Sequence, residues 1–73
     1  MATEFTFEIQ KHIATISERE GYSKEFNLVS WKGNSPVYDL RTWKNSETEK
    51  KPLKGVTLNV EEVNSLKAAL AMC

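Results

Sequence analysis

Between Phe26 and Trp43 the chain reads FNLVSWKGNSPVYDLRTW, two runs of alternating apolar and polar residues flanking Lys32-Gly33-Asn34-Ser35-Pro36. This layout predicts a β-hairpin whose connection carries the turn residues. Side chains alternate between the two faces of a strand, so Phe26, Leu28 and Ser30 share a face with Tyr38 and Leu40. That face reads as the core side. The opposite face carries Asn27, Val29 and Trp31 on the first strand and Asp39, Arg41 and Trp43 on the second. Two tryptophans beside an arginine and an asparagine read as a binding surface.

Alternation also opens the chain. In Phe5-Thr6-Phe7-Glu8-Ile9 the two phenylalanines and the isoleucine fall on one side and are expected to face inward. Past Ile9 the pattern slips: Ile13 keeps the parity of Ile9 across a charged Lys11, while His12, Ala14 and Ile16 form a competing set. One bulge or bend near Gln10 to His12, inside a strand from about Phe5 to Ser17, reconciles the two. Ser17 to Gly21 then connects to a second strand, which starts at Tyr22 or Lys24 and runs to Lys32. The third strand is expected from Val37 to Lys44, since Pro36 has no amide hydrogen to extend it backward.

Lys44 to Lys54, KNSETEKKPLK, has no apolar period and reads as a hydrophilic loop. Two roles stay open for it: a solvated linker, or a basic flap carrying Lys50, Lys51 and Lys54 towards an anionic ligand. Gly55 to Leu58 reads as a short fourth strand. A helix start follows, with Asn59 as N-cap, Glu62 at the third helical position, and Leu58 and Val63 spaced for a hydrophobic staple. Val60, Val63, Leu66, Leu70 and Cys73 make one apolar stripe on a helix of about four turns. Ala68, Ala69, Ala71 and Met72 leave the rest of its surface less polar than a solvated side, which predicts a second buried face against a partner.

The chain has 73 residues, enough for one domain and few enough that a single core is marginal. Its one cysteine, Cys73, excludes an internal disulfide, and one His with one Cys makes no zinc site. Oligomerisation is the remaining source of stability, with Val63, Leu66, Leu70 and Cys73 as the expected dimer interface. No apolar run is long enough to span a bilayer, and the N-terminus lacks the layout of a secretory signal, so a cytoplasmic location is expected, with the nucleoid if the chain is bacterial. No metal or cofactor is implied.

Net charge is zero, which alone counts against a nucleic-acid binder. Its distribution alters that. Residues 24–54 hold seven basic side chains against four acidic ones, a net +3, while residues 1–23 are at −2 and residues 55–73 at −1. Basic charge therefore gathers around the hairpin and the segment after it. Catalysis finds no support, because carboxylates are scattered and His12 has no nucleophile near it in sequence; His12 reads as structural or as a surface residue.

With YDLRTW on the third strand and KGVTLNVEEVNSLK across the last strand and helix, the chain resembles the positive cofactor four (PC-four-like) transcriptional coactivator family. The likeness is greatest to its small YdbC-type bacterial branch, through Phe7-Glu8-Ile9 and Lys24 to Trp31, KEFNLVSW. The resemblance implies an α+β domain over residues 1–73: a curved four-stranded antiparallel sheet, then a C-terminal helix that pairs two copies into a homodimer. It also implies binding of single-stranded DNA with little sequence preference, in transcription regulation or DNA maintenance. Carried over by position, Trp31 is the stacking aromatic, Lys32 the basic residue beside it and Arg41 the strand-three arginine. Thr42, Trp43 and Lys44 depart from the acidic residue, tyrosine and tryptophan of eukaryotic members, so Trp43 and Lys44 stand as alternatives for one ligand contact.

The residues and the resemblance converge on one expected surface. Trp31 and Trp43 stack bases, Arg41 stacks or grips a phosphate, Lys24, Lys32, Lys44 and Lys54 line the backbone, and Asn27 reads a base edge. A single strand of RNA offers the same chemistry as DNA. The competing reading is a scaffold dimer whose aromatic patch docks a peptide or part of the transcription machinery, such as a polymerase subunit.

Overall fold

A computed structural model describes residues 6–73, so Phe5 lies outside the described residues. Four strands, β1 (Phe7–Arg19), β2 (Tyr22–Trp31), β3 (Val37–Asn45) and β4 (Lys50–Leu58), precede one helix, α1 (Val60–Ala71). They form a single antiparallel sheet in the order β1-β2-β3-β4. The expected four-stranded antiparallel sheet and C-terminal helix are both present.

Local chemistry explains the connections. Glu20 and Gly21 both have positive φ, 49° and 88°, as a two-residue type I′ hairpin turn requires between paired Arg19 and Tyr22. Lys32 and Gly33 repeat the device at 52° and 78°, and the Asn34 amide closes that turn on the Trp31 carbonyl at 2.9 Å. At the helix start the Asn59 side chain accepts from the Glu62 amide at 2.8 Å, and the Glu62 carboxylate accepts from the Asn59 amide at 2.9 Å. This capping box is the one expected from the sequence.

Four features differ from the sequence expectation. The first strand has three irregularities rather than one, between Ile9 and Lys11, His12 and Ala14, and Thr15 and Ser17. Each adds a residue to β1 alone, so 13 residues of β1 run along 10 of β2 and the sheet curls. The expected loop at 44–54 is mostly strand: β4 starts at Lys50, and Ser46 to Glu49 form a turn in which the Ser46 amide donates to the Glu49 carbonyl at 2.9 Å. Pro52 is tolerated because β4 is an edge strand. The helix is shorter than four turns, 12 residues, and Cys73 lies beyond its end.

The fourth difference concerns the core. The face parities are as expected, but burial is reversed. Val29 and Trp43 are fully buried, with Ser23, Glu25, Asn27 and Asp39 of the same face also buried, while Ser30 of the other face is covered where its Oγ donates to the Asn34 carbonyl at 2.6 Å. Phe26, Leu28, Tyr38 and Leu40, read as the core side, are only half-buried. The curl encloses the tryptophan face, bringing the Phe7 ring of β1 within 5.1 Å of Trp43 on β3. Strands two apart in a flat sheet are about 9.5 Å from each other. On the other face α1 has no buried residue. The molecule measures 46 × 30 × 18 Å with a radius of gyration of 13.4 Å, against about 11 Å for a compact chain of this length. Among the described residues no helix is long and apolar enough to cross a membrane.

Candidate nucleic-acid interface

Trp31 ends β2, where the Lys32-Gly33 turn reverses the chain and the Lys32 amide donates to the Thr6 carbonyl at 3.0 Å. Its indole lies parallel to that of Trp43, with centroids 6.3 Å apart and 5° between planes. Phe7 closes the group, 5.8 Å from Trp31 and 5.1 Å from Trp43. Three strands thus supply one aromatic cluster. Only part of it reaches solvent: Trp31 is half-buried, whereas Trp43 is 0 % exposed. Trp43, expected as a second stacking platform, is the floor on which Trp31 rests.

A cation lies over each indole. The Arg41 guanidinium carbon is 4.6 Å from the Trp31 ring centroid, and Lys50 Nζ is 5.5 Å from that of Trp43. Arg41 is held by the buried Asp39 carboxylate, to which Nε donates at 2.7 and 2.9 Å and Nη2 at 2.7 Å, while Nη1 donates to the Leu53 carbonyl at 2.9 Å. Gly55, across the strand pair from Arg41, leaves the necessary room. A Cβ there would fall within 1.9 Å of the Arg41 Cβ.

Lys50 is held by Glu25, at the centre of a polar network that joins all four strands. Lys50 Nζ donates to Glu25 Oε2 at 2.8 Å and Ser23 Oγ donates to the same oxygen at 2.6 Å. Asn27 Nδ2 donates to Glu25 Oε1 at 3.2 Å, which turns its Oδ1 towards His12 Nδ1 at 2.6 Å. His12 Nδ1 is therefore the donor to Asn27, and Thr15 Oγ1 lies 3.1 Å from Nε2. Asn45 completes the set, donating to Ser23 Oγ at 3.0 Å and accepting from Lys50 at 3.0 Å. Burial alone pushes the Glu25 carboxyl up, but hydrogen bonds from Lys50, Ser23 and Asn27 and the Lys50 charge outweigh it and hold the pKa below the usual carboxylate value. His12 is thus tied into structure.

The expected site residues divide between the two faces. Trp31, Arg41, Trp43 and Asn27 share the tryptophan face, but Asn27 is fully buried with its amide committed to Glu25 and His12, so it is no reader of base edges as it stands. Lys32 is exposed on the turn beside Trp31. Lys24 and Lys54 lie on the other side of the sheet, where they border a shallow groove of about 410 Å³ with Thr42 and Val56. Lys44 shares that side, with Nζ 5.8 Å from the Tyr22 ring. Phe7, Asp39, Glu25 and Lys50 complete the aromatic site. The sequence placed Asp39 on this face by parity, Phe7 inward by parity and Lys50 in a possible basic flap, but assigned none of them, nor Glu25, to the aromatic cluster.

The helix residues expected at a subunit interface do share a surface. Val63, Leu66 and Leu70 line a groove of about 200 Å³ with Ala14, Ile16, Phe26, Leu40 and Lys67, so its walls are apolar apart from that one lysine. Leu70 is 61 % and Ile16 59 % exposed. Cys73 is exposed and outside this groove.

Residues 19–69 match the family model for Transcriptional Coactivator p15 (PC4). An uncharacterized protein of Treponema pallidum (strain Nichols) is 35% identical over 68 residues, covering 92% of this chain and 78% of its own length.

Proposed function

This chain belongs to the PC4 family of transcriptional coactivators, and from that premise we propose that it binds single-stranded DNA, without catalysis, as a homodimer in transcription regulation or DNA maintenance. The observation that carries the reading is Trp31: a partly exposed indole, backed by Trp43 and Phe7 and overlain by a fixed arginine. An unpaired base has a π face to add to such a stack, a contact worth about 1 to 3 kcal/mol per base with little dependence on identity. Arg41 and Lys32 meet the adjoining phosphates. Lys24, Lys44 and Lys54 extend the basic track around the edge of the sheet, and Trp43 acts by supporting Trp31.

A second copy of the chain covers the helix face. The apolar groove and the stripe of Val63, Leu66 and Leu70 support this assignment, since leaving them in water forfeits about 25 cal/mol for each Å² of apolar surface. Two copies present two tryptophan faces to one strand.

Fluorescence anisotropy with labelled oligothymidine, the matching duplex and an RNA strand, at two salt concentrations and with molar mass measured alongside, tests the proposal. Tight binding of the single strand, a log-log salt slope near −0.7 per phosphate neutralised, and a dimer mass are expected. Preference for duplex, or affinity independent of salt, contradicts it.

A further inference from the structure

Asp39 is a puzzling residue under a surface meant for a polyanion. Its carboxylate is fully buried, and it cancels the charge of Arg41 2.7 Å away. A buried ion pair is weak grounds for stability, because desolvation offsets most of its Coulombic gain. Geometry suggests another role. Asp39 takes Nε and Nη2, Leu53 takes Nη1, and the guanidinium is thereby held over Trp31 with its carbon 4.6 Å from the ring centroid. Of the five N–H groups an arginine carries, one on each terminal nitrogen is left to meet a ligand oxygen.

Lys50 and Glu25 repeat the plan beside it: a buried carboxylate holds a cation over an indole, Glu25 Oε2 to Lys50 Nζ at 2.8 Å and Nζ to Trp43 at 5.5 Å. A device built twice on neighbouring strands is more than an incidental pair.

We infer that Asp39 is a positioning residue for nucleic-acid binding: it fixes the plane and reach of Arg41 above Trp31, so that a strand meets a preorganised fork and stack instead of a mobile cation. The inference rests on the single-strand function proposed above. It also makes a prediction opposite in sign to simple electrostatics. Removing a negative charge from a polyanion-binding face strengthens binding through the long-range field. Removing a positioning residue weakens it.

The test is oligothymidine binding by the full chain carrying Asp39→Asn, Arg41→Gln, both changes, or Arg41→Lys. Asp39→Asn is expected to weaken binding about tenfold, the size of one charge-assisted contact, despite the added positive charge. Added to Arg41→Gln it should cause no further loss, because Asp39 acts through the arginine; a general structural role would lower affinity again. Arg41→Lys keeps the charge but not the planar fork, so it should bind nearly as weakly as Arg41→Gln. This arm decides the matter if Asp39→Asn does not fold. Equal or tighter binding by a folded Asp39→Asn, or full binding by Arg41→Lys, overturns the inference. A separate readout needs no ligand: the Arg41 Nε proton should give a resolved, slowly exchanging NMR signal that is absent from Asp39→Asn. If the unaltered protein fails to bind oligothymidine, the proposed function fails, while that signal still decides whether Asp39 positions Arg41.

Discussion

On the tryptophan face, Val29, Trp43, Asn27 and Asp39 are wholly withdrawn from water, whereas on the helix face α1 buries none of its residues and Phe26, Leu28, Tyr38 and Leu40 stay half-buried. Both faces carry aromatic and aliphatic side chains in strict alternation. What separates them is the curl. Three extra residues in β1 bend the sheet around Trp43, so one face closes on itself and binds its polar atoms into the Glu25 network. A sheet that curls towards one side cannot also close the other, and one 12-residue helix is too small a cover for it. The comparison separates the two faces: the closed one holds a rigid aromatic and cationic site, and the open one leaves an apolar groove that the proposed second copy would cover.

The largest break in that comparison is Trp43→Ala. A fully buried indole at the base of the closed face should cost about 3 to 5 kcal/mol on truncation, read by thermal or urea unfolding. A loss under 1 kcal/mol would mean that the closed face is not the core. Leu66→Ala on the open face should cost about 2 to 5 kcal/mol if a partner covers it. The deficit should grow on dilution, because subunit association is lost, and sedimentation should show monomer. An effect within about 0.5 kcal/mol, usual for an exposed site, would leave the face uncovered in solution. Trp31→Ala sharpens the contrast from the ligand's side: affinity for oligothymidine should fall by about 1 to 3 kcal/mol with the sheet intact by circular dichroism.

The smallest effect belongs to the network under the site. Because the folded Glu25 pKa is depressed, its contribution to stability is fully present above the unfolded value of about 4.3 and is lost as pH falls through the lower folded value. Glu25→Gln should therefore lower the melting temperature at pH 7 by the equivalent of about 1 kcal/mol, and the gap to the unaltered protein should narrow below pH ~4. A gap that is constant with pH would remove the charge from the explanation.

Local signals were legible in the sequence. The Asn59 to Glu62 capping box, the turns at Gly21 and Gly33, and the parity that separates Phe26 and Leu40 from Trp31 and Trp43 depend on neighbours within a few residues, and all are present. Alternation says which residues share a face; it does not say which face closes, because that follows from the number of bulges in β1 and one was expected where three occur. Lys50 was named only as part of a possible flap, and its place in a strand was hidden for a related reason. Its strand has no apolar period, since its pairing is supported by a salt bridge to Glu25, 25 residues earlier, and β4 is interrupted by an irregularity opposite Arg41 to Trp43. The division of lysines followed from the same parity that placed the tryptophans, once β4 was known to extend to Lys50.

Two single-tryptophan variants put the central claim to the most direct test. Trp43→Phe leaves Trp31 as the sole indole, and Trp31→Phe leaves Trp43. Both retain an aromatic ring in the cluster, and binding of oligothymidine is followed independently by anisotropy. Stacked bases should quench the emission of Trp43→Phe on saturation and leave that of Trp31→Phe unchanged. Quenching confined to Trp31→Phe, or binding with quenching in neither variant, would contradict the assignment of Trp31 as the residue on which the strand is stacked.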